Sequence, residues 1–350
     1  MTASRGTSAF DGTRKTLDNG LRGETVRGLS ELHSLRPEFG ELAARCRLPA
    51  TASTTWVFTT LAATESTTPW AVLVRDQQGT LRGALVLIDL PDNQVRLAGT
   101  DEGHRGAIAA EGPDVAERLA AELQLALRTR PAPTTVVLGP LDARDSATQM
   151  FSAALPGGTL LDDEPIPIVR KDTDQLTHYM SQGMRRTVRK SYNRLAKDGL
   201  EWHVEFTTGA REIQELIPQL ERCHRDRDHA HGRPSDLDDA NTRLLWLARI
   251  EALAATGQLE LATLSIDGQF AAHALAILDQ PTYRILEGRF VTEWARYSPG
   301  RLLEAASLDR ALHDLTFTTV DWMTSVAPDK LLATNEADPM VLVYVQSPTS

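Results

Sequence analysis

The feature that most constrains this 350-residue chain is a pattern that occurs twice. The stretch WAVLVRDQQGTLRGALVLIDLPDNQVRLAGT, residues 70–100, reads as strand, Gly turn, strand, Pro turn, strand. Residues 259–290, LELATLSIDGQFAAHALAILDQPTYRILEGRF, read the same way, with Asp267-Gly268 as a strong hairpin signal. Each meander precedes a helical pattern and a further β-rich run, 114–127 then 134–141 in one copy and 300–312 then 318–325 in the other. Antiparallel strands, helix and strand, given twice, predict a pseudo-duplicated α+β protein. Leu308, Ala311, Leu312 and Leu315 recur at helical spacing and are expected to face the sheet.

Length also argues for two domains, since single cores stop growing well below this size. The expected division is a disordered tail over 1–24, rich in Thr, Ser, Gly, Arg and Asp without periodicity, then domains over 25–170 and 171–350. A formal net charge of −10 argues against a general nucleic-acid coat, which needs many lysine and arginine contacts, though not against a local basic site. No uninterrupted apolar run is long enough to span a membrane, the N-terminus lacks the apolar core of a secretory signal, and Cys46 and Cys223 cannot build a disulfide framework. The expectation is a soluble cytoplasmic protein with no membrane partner.

The two copies differ where their helices begin. The first enters through EGPDVAE, whose Glu111, Asp114 and Glu117 suit a helix dipole but repel anions. The second enters through Ser298-Pro299-Gly300-Arg301, with serine placed to cap, proline to open the first turn and glycine to admit a close approach. Arginine at the third helical position opposes the dipole and stands where a capping box would have Glu or Gln. Free N–H groups and this guanidinium predict a phosphate-sized site; the other reading leaves Arg301 in solvent and gives Gly300 a packing role.

Four stretches, in order, carry a resemblance covering about residues 50–346. They are RRTVRKSYNRLAKDGLEWHVE (185–205), LSIDGQFAAHALAI (264–277), YSPGRLL (297–303) and VDWMTSVAPDK (320–330). The chain resembles the tandem-GNAT acyltransferases of the BioF2-like/CelD-like acetyltransferase group and their relatives, the Fem-type aminoacyl-tRNA-dependent ligases. The resemblance implies two tandem GNAT-like domains, the first degenerate, and acyl transfer onto an amine from acyl-CoA or aminoacyl-tRNA, with no metal. The donor would lie beside the helix start, Ser298, Pro299, Gly300, Arg301 and Leu302. Asp329-Lys330 replaces the Tyr-Lys that the family tends to have, so that tyrosine's role has no counterpart here. The rival from another class is a non-catalytic protein that keeps the fold and senses a ligand.

Glu287 lies in the third strand of the second meander, where alternation puts Tyr283, Ile285 and Glu287 on one face. Its carboxylate could orient or deprotonate an amine, with Tyr283 and Arg289 as substrate contacts; alternatively Arg284 or Arg289 pairs with it at the surface. His273 is placed half-buried beside Leu275, as a general base or as a core residue. Asp321 is a candidate at the cleft edge and Lys330 a candidate for a donor phosphate; otherwise they are a strand-end acid and a loop lysine. Arg185, Arg186, Arg189 and Lys190 sit on adjoining turns of a helix, as a binding patch for CoA, a nucleotide or a tRNA acceptor stem, or as an ordinary solvated face. CHRDRDHAHGRPSD (223–236) holds Cys223, His224, His229 and His231 at no zinc-like spacing and reads as a polar, acceptor-recognising loop after a helix over 211–222. Motifs for ATP, NAD and serine-hydrolase chemistry are missing.

Overall fold

The computed structural model describes residues 20–63, 67–230, 232–323 and 333–347. In the first half the elements are β1 (Arg22–Arg27), α1 (Leu29–Ser34), α2 (Arg36–Cys46), α3 (Thr54–Ala63), β2 (Thr68–Arg75), β3 (Leu81–Leu90), β4 (Gln94–Leu97), β5 (Ala109–Ala110), α4 (Pro113–Arg128), β6 (Thr135–Asp142), α5 (Ser146–Ala154) and β7 (Thr159–Arg170). The second half contains α6 (Leu176–Tyr179), α7 (Gln182–Lys197), β8 (Trp202–Thr207), α8 (Ala210–His229), α9 (Ala240–Ala255), β9 (Leu259–Ile266), β10 (Gln269–Asp279), β11 (Thr282–Phe290), α10 (Pro299–His313), β12 (Thr319–Asp321) and β13 (Glu336–Gln346). This is the expected class: a mixed α/β protein with a large, mostly antiparallel sheet flanked by helices. Arg22–Glu24, expected in the tail, are strand residues paired with β2.

Both meanders form as read, β2–β3–β4 and β9–β10–β11, and Asp267 and Gly268 adopt the positive φ that a tight hairpin turn requires. In each half the strand after the helix lies parallel to the meander's last strand, β6 beside β4 and β12 beside β11. The seam between halves is a strand exchange. β13, from the C-terminal end, lies between β6 and β7, while β7, from the first half, reaches β12 of the second. Val341, Val343 and Val345 of β13 accordingly pack in the core of the first half, so the sheet runs continuously past residue 170.

Amphipathic spacing seats the helices. Met184, Val188 and Leu195 of α7, and Leu302, Leu303, Leu308, Ala311 and Leu312 of α10, share one core beneath the sheet. Leu315 departs from this pattern: α10 stops at His313, and Leu315 is 91% exposed. α8 and α9 cover the opposite face, in a core that also takes Trp56 from the first half.

Candidate active site

The register of β11 against β10 slips at Leu286, because Leu275 faces Glu287 while Ala276 faces Ile285. Such a bulge reverses which side the following residues face. Tyr283 and Ile285 therefore point into the core with α7 and α10, while Leu286 packs with α8 and α9. Glu287 meets His273, Trp246 of α9 and His224 of α8. The expected shared face of Tyr283, Ile285 and Glu287 is thus corrected. Tyr283 is sealed in the core, its hydroxyl donating to Glu260 at 2.7 Å, away from any substrate.

β12 pairs with β11 only along Thr282–Arg284. Beyond Arg284 the edge of β11 on that side has no strand partner among the described residues, and a cleft of about 760 Å³ opens there. Ile285–Phe290 line one wall, Ser298, Gly300, Arg301 and Glu304 of the α10 start another, and the 224–246 region of α8 and α9 a third. Trp56 and His104 reach in from the first half, where Arg249 lies 4.1 Å over the Trp56 ring and donates to Asp101 at 2.6 Å.

Glu287 is the acid at the centre. Its Oε1 accepts from Trp246 Nε1 at 3.2 Å and lies 3.4 Å from His273 Nε2; Oε2 is 3.7 Å from His224 Nε2. Burial raises its pKa, but the hydrogen bond and charge of His273, with the charges of Arg289 and His224, outweigh that and hold it at about 2. The carboxylate is ionised at neutral pH. His273 is fully buried rather than half-buried, and its ring holds Glu287 in place.

His224 and Arg289 complete this cluster. His224 Nδ1 lies 3.2 Å from both Asp228 Oδ2 and Ser235 Oγ, and its Nε2 accepts from Arg289 at 3.2 Å. Burial lowers its pKa and outweighs the opposite pull of the Glu287 carboxylate, so the neutral ring is favoured. The polar run 223–236, expected as an acceptor-recognising loop, is helical as far as His229, where α8 ends, and Asp228 one turn on faces His224, a placement the loop reading does not give. The i, i+4 His-Asp spacing was the available signal. His231 lies outside the described residues. Among those described, no group of three or more His, Cys, Asp or Glu side chains could hold a metal ion.

The α10 start is more modest than its sequence suggests. Ser298 is left-handed (φ 50°) and makes no side-chain cap. Its carbonyl takes the N–H of Arg301 at 3.0 Å, and Pro299 has none, which leaves Gly300 as the first-turn donor. Arg301 is not an unpartnered cation: Nη1 donates to Glu304 Oε2 at 2.6 Å. Leu302 is buried in the core, so only its backbone belongs to the helix start.

Asp321 lies apart from the cleft. It is buried, paired with Arg284, 3.7 Å from Arg105, and accepts from the Met323 N–H at 2.7 Å, a bracing role at the seam of the halves. Arg185, Arg186 and Arg189 line a different groove, across α10 from the cleft, and Lys190 is exposed beside them. Lys330 lies outside the described residues.

Residues 182–331 match the family model of the acetyltransferase (GNAT) domain. No curated protein matches the chain by sequence. Among solved structures, FemX superposes with a TM-score of 0.62 at 11% identity, over 87% of this chain and 94% of that one. A conserved protein of unknown function from Bacteroides thetaiotaomicron gives 0.55 at 9%, over 91% and 97%. The C-terminal domain of a protein described as a lysylphosphatidylglycerol synthetase, from Agrobacterium fabrum, gives 0.54 at 12%, over 89% and 92%. At such identities these likenesses establish the fold alone. The domain match supports acyl transfer in general terms.

Proposed function

We propose that the chain is an N-acyltransferase that joins an acyl or aminoacyl group, carried as a CoA thioester or a tRNA ester, to the amine of a small-molecule acceptor in the cleft between β11, α8 and the α10 start. The observation that carries this reading is the ionised Glu287 set beside the unpaired edge of a bulged strand, facing a helix start. As nitrogen attacks, it gains positive charge and the acyl carbonyl becomes an oxyanion, so catalysis needs an anion near one and N–H donors near the other. Glu287 supplies the first, binding the amine and stabilising the charge that grows on it. The β11 edge beyond Arg284 supplies the second. With a pKa of about 2, Glu287 is a poor sink for a proton, so its main contribution is electrostatic, and the proton shed by nitrogen ends on the departing thiol or alcohol.

Ser298, Gly300 and Arg301 would receive the donor's anionic part, and alignment of donor and amine supplies much of the rate. The 224–246 segment, with Arg227 4.5 Å over the Phe290 ring, forms the acceptor side.

The test is amide formation, followed by mass spectrometry, from acyl-CoA and from charged tRNA with a panel of amines, with and without ribonuclease. Product that survives ribonuclease identifies a CoA donor; product abolished by it identifies an aminoacyl-tRNA. Binding of donor without turnover of any amine would favour the sensor reading instead.

A further inference from the structure

The basic face of α7 takes no part in the cleft, yet it stands over a second groove of about 1270 Å³. α10 separates the two cavities. Gly300, Arg301 and Glu304 face the cleft, whereas Ala306, Asp309 and Arg310 face the groove, on the opposite side of the same helix. Arg185, Arg189 and Tyr192 follow at i, i+4 and i+7 along α7, so cations and an aromatic ring share one stripe.

Two properties of this groove are unusual for the molecule. Tyr192 of α7 and Trp202 of the edge strand β8 are 39% and 40% exposed, with ring centroids 5.1 Å apart and planes inclined by 32°. They lean against one another and form an apolar aromatic platform partly open to water. Arg186 and Arg189 have no acid partner among the described residues, although the chain as a whole carries a net charge of −10. The one carboxylate in the lining, Asp309, lies 3.6 Å from His313, and Arg310 is committed to Asp314 at 2.9 Å and Glu260 at 3.3 Å.

We propose that this groove binds a nucleotide, with its base against the Tyr192–Trp202 platform and its phosphates on Arg186 and Arg189. A nucleobase offers the flat π-face that exposed aromatic rings accept, and a guanidinium fork matches phosphate oxygens. An acidic peptide would satisfy the arginines and leave the rings open. A free nucleotide and the end of an RNA strand share this chemistry. The inference does not depend on the acyl-transfer reading, because the groove and the cleft have no lining residue in common.

The test is quenching of tryptophan fluorescence together with calorimetric titration, using ADP, a six-nucleotide RNA and inorganic pyrophosphate. The proteins are the wild type, Arg186→Glu/Arg189→Glu, Trp202→Ala and, as a cleft control, Glu287→Gln. The substituted groove residues are exposed, and circular dichroism checks that each variant is folded; the Arg186→Ala/Arg189→Ala pair provides a milder second version. Binding of ADP or of the RNA that weakens at least tenfold in the arginine and tryptophan variants, but not in Glu287→Gln, is the expected result. ADP binding identifies a free nucleotide; binding of the RNA alone identifies a strand end. The proposal is overturned if neither binds, if pyrophosphate binds as well as ADP and the RNA, if the groove variants bind like the wild type, or if Glu287→Gln alone removes binding.

Discussion

Replacing Glu287 by glutamine keeps the shape of the side chain and removes its charge, which makes it the sharpest probe of the cleft. A carboxyl whose ordinary pKa is 4.5 titrates here at about 2. Its folded-state pKa is the lower one, so its ionised form stabilises the fold above about pH 4.5, and that contribution is lost as pH falls through about 2. At about 1.4 kcal/mol for each factor of ten in acidity, the contribution at pH 7 is on the order of 3 kcal/mol. The residue is 12% exposed in its side chain, so solvent screening takes little from this figure. Glutamine still offers an oxygen to Trp246 but has no charge for His273 and Arg289 to meet. We expect Glu287→Gln to be less stable by about 3 kcal/mol at pH 7 and by roughly half of that at pH 3. Urea unfolding at the two pH values measures both differences. The same variant should lose about 10²- to 10⁴-fold in turnover with any amine it accepts. A stability difference that does not change with pH, or a variant as stable as the wild type at pH 7, would refute the electrostatic account of Glu287.

Other substitutions separate the roles of the neighbours. Trp246→Phe removes the indole N–H that Glu287 accepts at 3.2 Å and frees the carboxylate to move, so turnover should fall about tenfold in steady-state kinetics. Arg301→Ala leaves Glu304, whose pKa burial already raises against the pull of Arg301, without its partner. Donor KM should rise by no more than about tenfold with kcat unchanged, because an arginine already paired adds modest further attraction; steady-state kinetics in donor concentration decides. Asp321→Asn removes the charge of one of the two carboxylates on Arg284, which keeps Asp279 at 2.6 Å, and should cost about 1–3 kcal/mol in urea unfolding, while the folded protein keeps its kcat.

Much of the architecture could be read before any coordinates, and the reasons are local. The hairpin at Asp267-Gly268, the two meanders and the apolar stripe of α4 are set by turn chemistry and periodicity within short windows. The entry of β13 between β6 and β7 depends on contacts about two hundred residues apart, which no window holds. The bulge at Leu286 moved Glu287 to the face opposite Tyr283, and alternation alone could not foresee an extra residue in one strand. Glu287, His273, Arg289 and the helix start line one cleft, to which β10, β11 and α10 each contribute, and no short window of sequence relates them. The Arg301–Glu304 pair was legible in principle, since the two lie at i, i+3. His224 stayed hidden because the polar run around it resembles a loop and folds as the last turns of α8.

The most direct measurement is a crystal structure of the protein soaked with a CoA thioether and, separately, with an aminoacyl-adenosine mimic. The account predicts that one of them places its acyl end against Glu287 and the free edge of β11, with its anionic part at Ser298–Arg301. A donor analogue bound elsewhere, with the cleft left empty, would contradict it.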